Sequence, residues 1–428
     1  MSGTTITSVR AREVFTRRGH PGVEAIVKTE NGAIGRAICT AGVSIGSHEI
    51  KFNYDKSTKW GGMGVQGAAD NVNRVIAPVL VGMNASNQLA IDNAMLSIMP
   101  DAKLVLGGNA TASVSAAVLK AGADALGIPL YQHIGGANAM YLPVPGAPAY
   151  GGGLRYGGGF HPTGNKPTVT FQCFGFLSFA GASYAGWEIQ KLWRGKMKAL
   201  GVPPQMDSSE RSLITAGFVK TDEELFELMA KTISEAGYEG KVGIQMDAAA
   251  DTYYNPETKI YKGLIDATPR DRDQLMQLYK HIVATYPLVV LEDPFNENDY
   301  EAHAILRGEI DIQIVGDDLF TTNVGRVEQG IQAGAANCVL LKVNQIGTIS
   351  ESLEMINYAY KFGYGVMPCE SRGEGDAIAD YCVGINAGSV RECAVGLRAN
   401  RFLEIEEELG PRAKFMGAKG LKGKRFQK

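Results

Sequence analysis

The 428-residue sequence predicts an α/β fold with two parts, an N-terminal α+β unit and a C-terminal (β/α)8 barrel. Short apolar runs stand at 241–245 (KVGIQ), 288–291 (LVVL), 312–315 (IQIV) and 338–341 (CVLL). A run that is apolar on both faces is typical of a strand buried on both sides, as in a parallel sheet. These runs alternate with helical patterns, which indicates βα units. The chain is also too long for one small core, so it suits two domains.

The N-terminal part begins with a predicted three-stranded sheet. Residues 5–14 and 22–29 are predicted to form a hairpin, and residues 35–40 follow a turn at Asn31-Gly32 as a third strand. Apolar residues at helical spacing predict helices over 71–81 and 110–126. Asn109 and Gly127 are the expected caps of the second helix. The segment LPVP at 142–145 marks the change to the second part.

The barrel part contains further predicted helices. They cover residues 182–200, 222–236 and 269–285. Thr221 with Glu224 three residues later predicts a capping box at the start of the second of these helices. The basic, glycine-rich segment 414–428 is expected to fold over the barrel or to remain solvated, rather than to bind nucleic acid.

Composition excludes several classes of function. A net charge of −3 gives no basic surface for nucleic acid. No apolar run suits a membrane span, and Arg10, Arg12 and Glu13 interrupt any signal-peptide core. The six cysteines lack CxxC spacing, which favours reduced thiols. We therefore expect a cytoplasmic enzyme with no nucleic-acid or membrane partner.

The predicted strands end in residues suited to chemistry. Asp247, Glu292 and Asp317 follow three of the apolar runs, and Lys342 follows the fourth. In barrels of this kind the carboxyl ends of the strands form the active site. Three convergent carboxylates suit Mg2+, and a lysine beside a cation can act as a base. Taken singly, each residue also fits an ordinary acidic or basic loop position.

Ten motifs, in order along nearly the whole chain, resemble the enolase family. They are ARE (11–13), NVN (71–73), LGGNA (106–110), LPVP (142–145), GNK (164–166), MD (246–247), LEDPF (291–295), VGDDL (315–319), LLKVNQIG (340–347) and IEEELG (405–410). The resemblance implies an N-terminal capping domain at 1–138 and a modified (β/α)8 TIM-type barrel with a C-terminal tail at 139–428. It also implies a homodimer or a higher homo-oligomer.

The resemblance assigns roles to the strand-end residues. Asp247, Glu292 and Asp317 resemble the Mg2+ ligands of the family, and Lys342 resembles the general base that removes the proton α to a carboxylate. A cation on the carboxylate oxygens stabilises the enediolate that forms.

The chain departs from the family where the leaving group is handled. The family has a glutamate on the barrel strand after GNK, and Cys173 is predicted at that position. A second family glutamate corresponds to Thr215, although Glu210 stands nearby. His161 resembles a loop histidine of the family and is the candidate general acid.

The substrate-binding residues are also altered. Arg372 and Ser371 lie in CESRGE (369–374), where the family has SHRSGE, and arginine suits bidentate recognition of an anion. Arg398 is predicted at the position of the lysine that binds the substrate carboxylate. In the mobile loop, Ala41 replaces a family serine, while Ser44 matches another.

These residues predict a diverged enolase-family enzyme. We expect a Mg2+-dependent carbon–oxygen lyase or dehydratase that forms an enediolate from a small carboxylate other than 2-phosphoglycerate, with or without a phosphate or phosphonate group. An epimerase or a transferase of enolpyruvate or phosphonate groups is the first alternative. A true phosphopyruvate hydratase and a non-catalytic scaffold are further alternatives.

Overall fold

The computed structural model describes residues 3–16, 19–40, 42, 45–151, 167–202, 212–213, 219–264, 266, 268–369, 375 and 377–426. Strands within this part of the chain are β1 (Ile6–Phe15), β2 (Pro21–Thr29), β3 (Ile34–Cys39), β4 (Tyr141–Leu142), β5 (Val144–Gly151), β6 (Thr168–Cys173), β7 (Ser212–Leu213), β8 (Val242–Asp247), β9 (Tyr254–Asn255), β10 (Ile260–Lys262), β11 (Pro269–Arg270), β12 (Leu288–Glu292), β13 (Gln313–Gly316), β14 (Cys338–Leu341), β15 (Gly365–Pro368), β16 (Ser389–Cys393) and β17 (Lys414–Phe415).

Helices connect and cover these strands. They are α1 (Gln66–Asn71), α2 (Ala77–Leu80), α3 (Gln88–Leu96), α4 (Ala102–Leu106), α5 (Gly108–Leu126), α6 (Leu130–Gly135), α7 (Phe179–Ala199), α8 (Asp222–Glu235), α9 (Arg272–Thr285), α10 (Tyr300–Glu309), α11 (Val324–Ala333), α12 (Val343–Ile346), α13 (Ile349–Lys361), α14 (Ala377–Gly384) and α15 (Leu397–Leu409). A π-helical turn, Val72–Ile76, joins α1 to α2, so the helix predicted over 71–81 is longer and irregular.

The N-terminal sheet is antiparallel in the order β1-β2-β3 and packs on the alanine-rich helix α5. A side chain at Gly35 would lie 1.9 Å from the Ala117 carbonyl oxygen, so glycine is required for strand and helix to approach this closely. Gly127 ends α5 in the left-handed conformation, as predicted. Asn109 does not cap the helix. It is the second helical residue, and its side chain bonds to the backbone of Asn53.

The C-terminal part forms the predicted barrel. Its strands follow the order β15-β14-β13-β12-β8-β6-β5-β16, with β7 beside β5. β6 is antiparallel to β5 and β8, whereas the β8-β12-β13-β14-β15 run is parallel. The start of β6 therefore lies beside the carboxyl ends of its neighbours, and Thr168 is opposite Asp247.

Local sequence explains where the barrel helices begin. Thr221 caps α8 by accepting a hydrogen bond from the Glu224 N–H. The third predicted helix starts later than expected, at Arg272, because residues 269–270 form β11. Asp271 and Gln274 make a capping box there.

The C-terminal segment folds onto the barrel rather than remaining solvated. β17 pairs with β4, and the Lys422 N–H donates to Gln313 Oε1 inside the barrel. Leu421 and Phe426 are buried in a cluster with barrel residues such as Val290. The segment therefore closes the end of the barrel where the parallel strands begin.

Two further observations concern the chain as a whole. All six cysteines are buried, and no disulfide joins them in the described part of the chain, which agrees with the predicted reduced thiols. In the part of the chain that the structure describes, no single helix is long and apolar enough to cross a membrane; the pair 108–126 and 130–138 reaches that length and composition only together, across a bend of 99°.

Candidate active site

Four of the predicted site residues lie at one end of the barrel. Glu292 closes β12 and Asp247 closes β8, and they are partners in the register of those two strands. Asp317 follows β13, and its Oδ2 pairs with the Nζ of Lys342, which follows β14. All four side chains are at most 5% exposed. The structure thus brings together the residues for which metal binding and proton transfer were predicted.

Asp293 joins these residues into two overlapping acidic groups. Oxygens of Asp247, Glu292 and Asp293 lie within 4.8 Å of one another, and so do those of Asp293, Asp317 and Asp318. Asp293 already accepts backbone hydrogen bonds from Asp317 (3.0 Å) and Asp318 (2.8 Å). Its carboxylate therefore orders the loop that positions Asp317.

Burial and mutual repulsion alter the acidity of this cluster. Burial, with repulsion from Asp317 and Asp247, raises the pKa of Asp293 to about 8. Burial raises the pKa of Glu292 well above its ordinary value, although Arg391 opposes the change. Burial also raises the pKa of Asp318 well above its ordinary value. Without a further positive charge nearby, some of these carboxyl groups therefore favour the protonated form.

The donor set fits Mg2+. Five buried carboxyl groups, those of Asp247, Glu292, Asp293, Asp317 and Asp318, surround two buried cations, Lys342 and Arg391. Oxygen ligands of this kind are those that Mg2+ prefers, and a divalent ion would offset the excess negative charge. Asp318 Oδ1 is also buried, and none of the described residues hydrogen-bonds to it. Asp247, Glu292 and Asp317, the predicted ligands, are divided between the two acidic groups that Asp293 joins.

Arg391 was not predicted, yet it lies inside the site. Its guanidinium pairs with Asp247 and lies 3.0 Å from Glu292 Oε1. Arg398, the arginine that was predicted, instead pairs with the buried Glu392 at 3.2 Å. The contacts of the described residues therefore place Arg391 beside the acidic cluster and pair Arg398 with Glu392. The alternation of side chains along β16 indicates that Arg391 faces the barrel interior. Ser389 contacts Gln313 inside the barrel, and Arg391 follows two residues later on the same face.

The prediction that Cys173 occupies the place of a site glutamate is wrong, because Cys173 does not lie in the site. Cys173 pairs with Val242 at the start of β8, far along the strand from Asp247, and belongs to the hydrophobic core. Burial raises the pKa of its thiol to about 12. The alternation of β6 explains the error, because residues 169, 171 and 173 face away from the barrel interior.

The inward face of β6 is polar and uncharged. It consists of Thr168, Thr170 and Gln172. The Oγ1 of Thr170 and the Nε2 of Gln172 donate to Gln245 Oε1 at 3.1 and 2.5 Å. Gln245 Nε2 in turn donates to Glu292 Oε2 at 3.3 Å. The inward face of β6 therefore carries no carboxylate. The prediction of a missing carboxylate is correct for this strand, although it was made for Cys173, which faces the hydrophobic core.

Several predicted residues lie outside the described part of the chain. They are Ala41, Ser44, His161, Glu210, Thr215, Ser371 and Arg372. Their proposed roles in acid catalysis, loop closure and anion binding stay predictions.

Comparisons with known proteins cover both parts of the fold. Family models described as "Enolase, N-terminal domain" and "Enolase, C-terminal TIM barrel domain" match residues 6–134 and 212–424. The chain is 38% identical over 419 residues to the protein named Enolase of Methanococcus aeolicus, covering 95% of this chain and 96% of that protein. It is 37% identical over 436 residues to Enolase of Thermococcus kodakarensis, covering 97% of each. It is 38% identical over 427 residues to Enolase of Methanopyrus kandleri, covering 96% and 97%.

Proposed function

Because the chain belongs to the enolase family, we propose that it is a Mg2+-dependent lyase that removes a proton α to a carboxylate. The observation that supports this most is the buried pair of Lys342 and Asp317 beside the Asp247–Glu292 carboxylates. A base must lie within hydrogen-bond reach of the proton that it takes. Lys342 follows β14 at the carboxyl end of the barrel strands, which is where the active sites of such barrels lie.

Mg2+ held by Asp247, Glu292 and Asp317 would supply positive charge where negative charge develops on the substrate carboxylate. Lys342 accepts the α-proton at Nζ, so it must be neutral when substrate is bound. Its backbone N–H donates to Thr322 Oγ1 at 3.0 Å, which fixes the start of the lysine side chain. Arg391 is positioned to donate to the substrate carboxylate, the role first predicted for Arg398, because its guanidinium faces the same group of oxygens.

The substrate is the finer part of the proposal. The uncharged inner face of β6 provides no carboxylate for the departing hydroxyl, which favours a small carboxylate other than 2-phosphoglycerate. The second candidate, phosphopyruvate hydratase, is favoured by relatives that bear the name Enolase at 36–38% identity. An epimerase or group transferase would use the same enediolate without this leaving group. The buried charges at Lys342 and Asp317 argue against a non-catalytic scaffold.

Proton NMR in D2O with Mg2+ tests the proposal on 2-phosphoglycerate, unphosphorylated 2-hydroxy acids and phosphonate analogues. Loss of an α-proton signal followed by elimination, with a substrate other than 2-phosphoglycerate, is the expected result. Dehydration of 2-phosphoglycerate at rates ordinary for an enzyme, kcat of about 1 to 1000 per second, would establish the second candidate. Exchange without elimination would indicate an epimerase.

We also propose that the active form is a homodimer acting on a small molecule. Light scattering after size-exclusion chromatography measures the mass directly, and a single 45.8 kDa species would contradict the dimer.

A further inference from the structure

Gln345 holds the metal-ligand candidate Asp317 from the side opposite Lys342. Its Nε2 donates to Asp317 Oδ1 at 2.7 Å, while Lys342 pairs with Oδ2 of the same carboxylate. Each carboxylate oxygen of Asp317 therefore has a side-chain partner, Gln345 at Oδ1 and Lys342 at Oδ2. Gln345 itself is fully buried.

Thr322 fixes the direction of the Gln345 amide. The hydroxyl of Thr322 accepts the Lys342 N–H at 3.0 Å and donates to Gln345 Oε1 at 2.8 Å. The amide nitrogen must therefore face Asp317. Thr322 has a φ of 57°, a conformation that a β-branched residue rarely adopts. Such strain persists only where the surroundings hold it.

The second hydrogen of the Gln345 amide connects the site to the capping part of the chain. Nε2 also lies 3.3 Å from Glu49 Oε1, in the loop of residues 45–50. Glu49 Oε1 also accepts the N–H of Gly46, so the carboxylate shapes its own loop. In the same loop, Ser47 donates to Glu297 and His48 contacts Asn298 at 2.8 Å on the barrel.

The short helix α12 receives three more contacts from the N-terminal part. The Ile50 N–H donates to the Gln345 carbonyl at 2.9 Å, and the Asn344 side chain donates to the Thr40 carbonyl at 2.8 Å. Lys103 Nζ donates to the Ile346 carbonyl at 3.0 Å. Since α12 directly follows Lys342, these contacts fix the segment that bears both the base and Gln345.

We propose that Gln345 is a positioning residue that couples the loop bearing Glu49 to the Asp317–Lys342 pair, so that Mg2+ affinity depends on this loop. The inference rests on the proposed function for its metal, but it assigns a role to a residue to which the proposed function gives none. Residues that orient metal ligands by hydrogen bonding typically change metal affinity 10- to 100-fold when removed.

Isothermal titration of the full chain with Mg2+ alone tests this coupling. Gln345→Leu is expected to raise the Kd about 10- to 100-fold. If the leucine variant fails to fold, Gln345→Asn replaces it in the titration. Gln345→Asn keeps a polar amide but withdraws it from Asp317, so it should also raise the Kd for Mg2+. Asp70→Asn is the control, because it alters a surface helical pair with Arg74 and touches neither α12 nor Asp317, so its Kd should equal that of the wild type.

A double-variant cycle separates coupling from simple charge. Glu49→Leu should weaken Mg2+ binding in the wild-type chain but cause no further loss in the Gln345→Leu or Gln345→Asn chain. An equal loss in both backgrounds would mean that Glu49 acts through its charge alone, and it would overturn the proposal. Unchanged affinity in a folded Gln345 variant would overturn it too. No Mg2+ binding by the wild type would instead overturn the proposed metal site, and this inference with it.

Discussion

Arg391 Nη1 lies 3.0 Å from Glu292 Oε1, and the same guanidinium pairs with Asp247. A buried cation thus stands between two carboxylates that are candidate ligands of Mg2+. In the metal-free chain it provides part of the positive charge that these buried carboxylates require. We propose that this arginine binds the substrate carboxylate.

Replacing either arginine distinguishes their roles. Arg391→Met leaves two buried carboxylates without their cation, so the free energy of unfolding in EDTA should fall by about 3 to 5 kcal/mol. Arg398→Met also breaks a buried pair, with Glu392, and should destabilise the fold. Only Arg391→Met should abolish α-proton exchange in folded protein. Urea unfolding and NMR exchange measure the two effects, and loss of exchange in the Arg398 variant alone would restore the original assignment.

Mg2+ should stabilise the chain through Asp317. At a concentration 100 times the Kd, binding to the folded state alone raises the free energy of unfolding by about 2.7 kcal/mol. EDTA should reverse the effect, and Asp317→Ala should abolish it. The control is Asp70→Asn, which alters a surface helical pair with Arg74. A thermal shift that persists in the Asp317 variant would rule out this ligand.

Metal-free stability should fall as pH rises from 5 to 8. The pKa of Asp293 is raised from 3.8 to about 8, and those of Glu292 and Asp318 are raised as well. The folded state therefore binds more protons than the unfolded state in this range, so each such group lowers stability by up to about 1.4 kcal/mol per pH unit.

Mg2+ requires the ionised carboxylates, so the stabilisation that it gives should increase with pH over the same range. Thermal melts at fixed ionic strength, with EDTA or with Mg2+, measure both trends. Metal-free stability that rises steadily to pH 8 would contradict the described electrostatics.

Residues on the two faces of β6 should differ in effect. Thr170→Val removes a donor to Gln245, which holds Glu292, and should slow α-proton exchange about tenfold. Cys173→Ala should cost about 1 kcal/mol of stability through a small cavity in the core, with no change in exchange rate. Equal kinetic effects of the two substitutions would contradict the orientation of this strand.

Much of the fold followed from periodicity. The apolar runs that end in Asp247, Glu292 and Lys342 are buried barrel strands, and their shared direction brings those side chains together. Helix boundaries were less predictable, since Asn109 resembles a cap but hydrogen-bonds to Asn53 from inside the helix.

Some site residues required three-dimensional information. Motif spacing indicated Arg398, but only the pairing and alternation of β16 show that Arg391 faces the carboxylates. Cys173 was assigned without knowing that β6 runs antiparallel, which reverses the end of the strand that reaches the site. The link from Gln345 to Glu49 joins residues far apart in sequence, and no local pattern predicts it.

The most direct measurement is α-proton exchange in D2O, with Mg2+ and the substrate that the panel identifies, comparing the wild type with Lys342→Ala. We predict that the variant folds, binds Mg2+ and shows no exchange, because the base has been removed while Asp247 and Glu292 remain. Exchange at the wild-type rate in Lys342→Ala would contradict the assignment of Lys342 as the base, and with it the central claim.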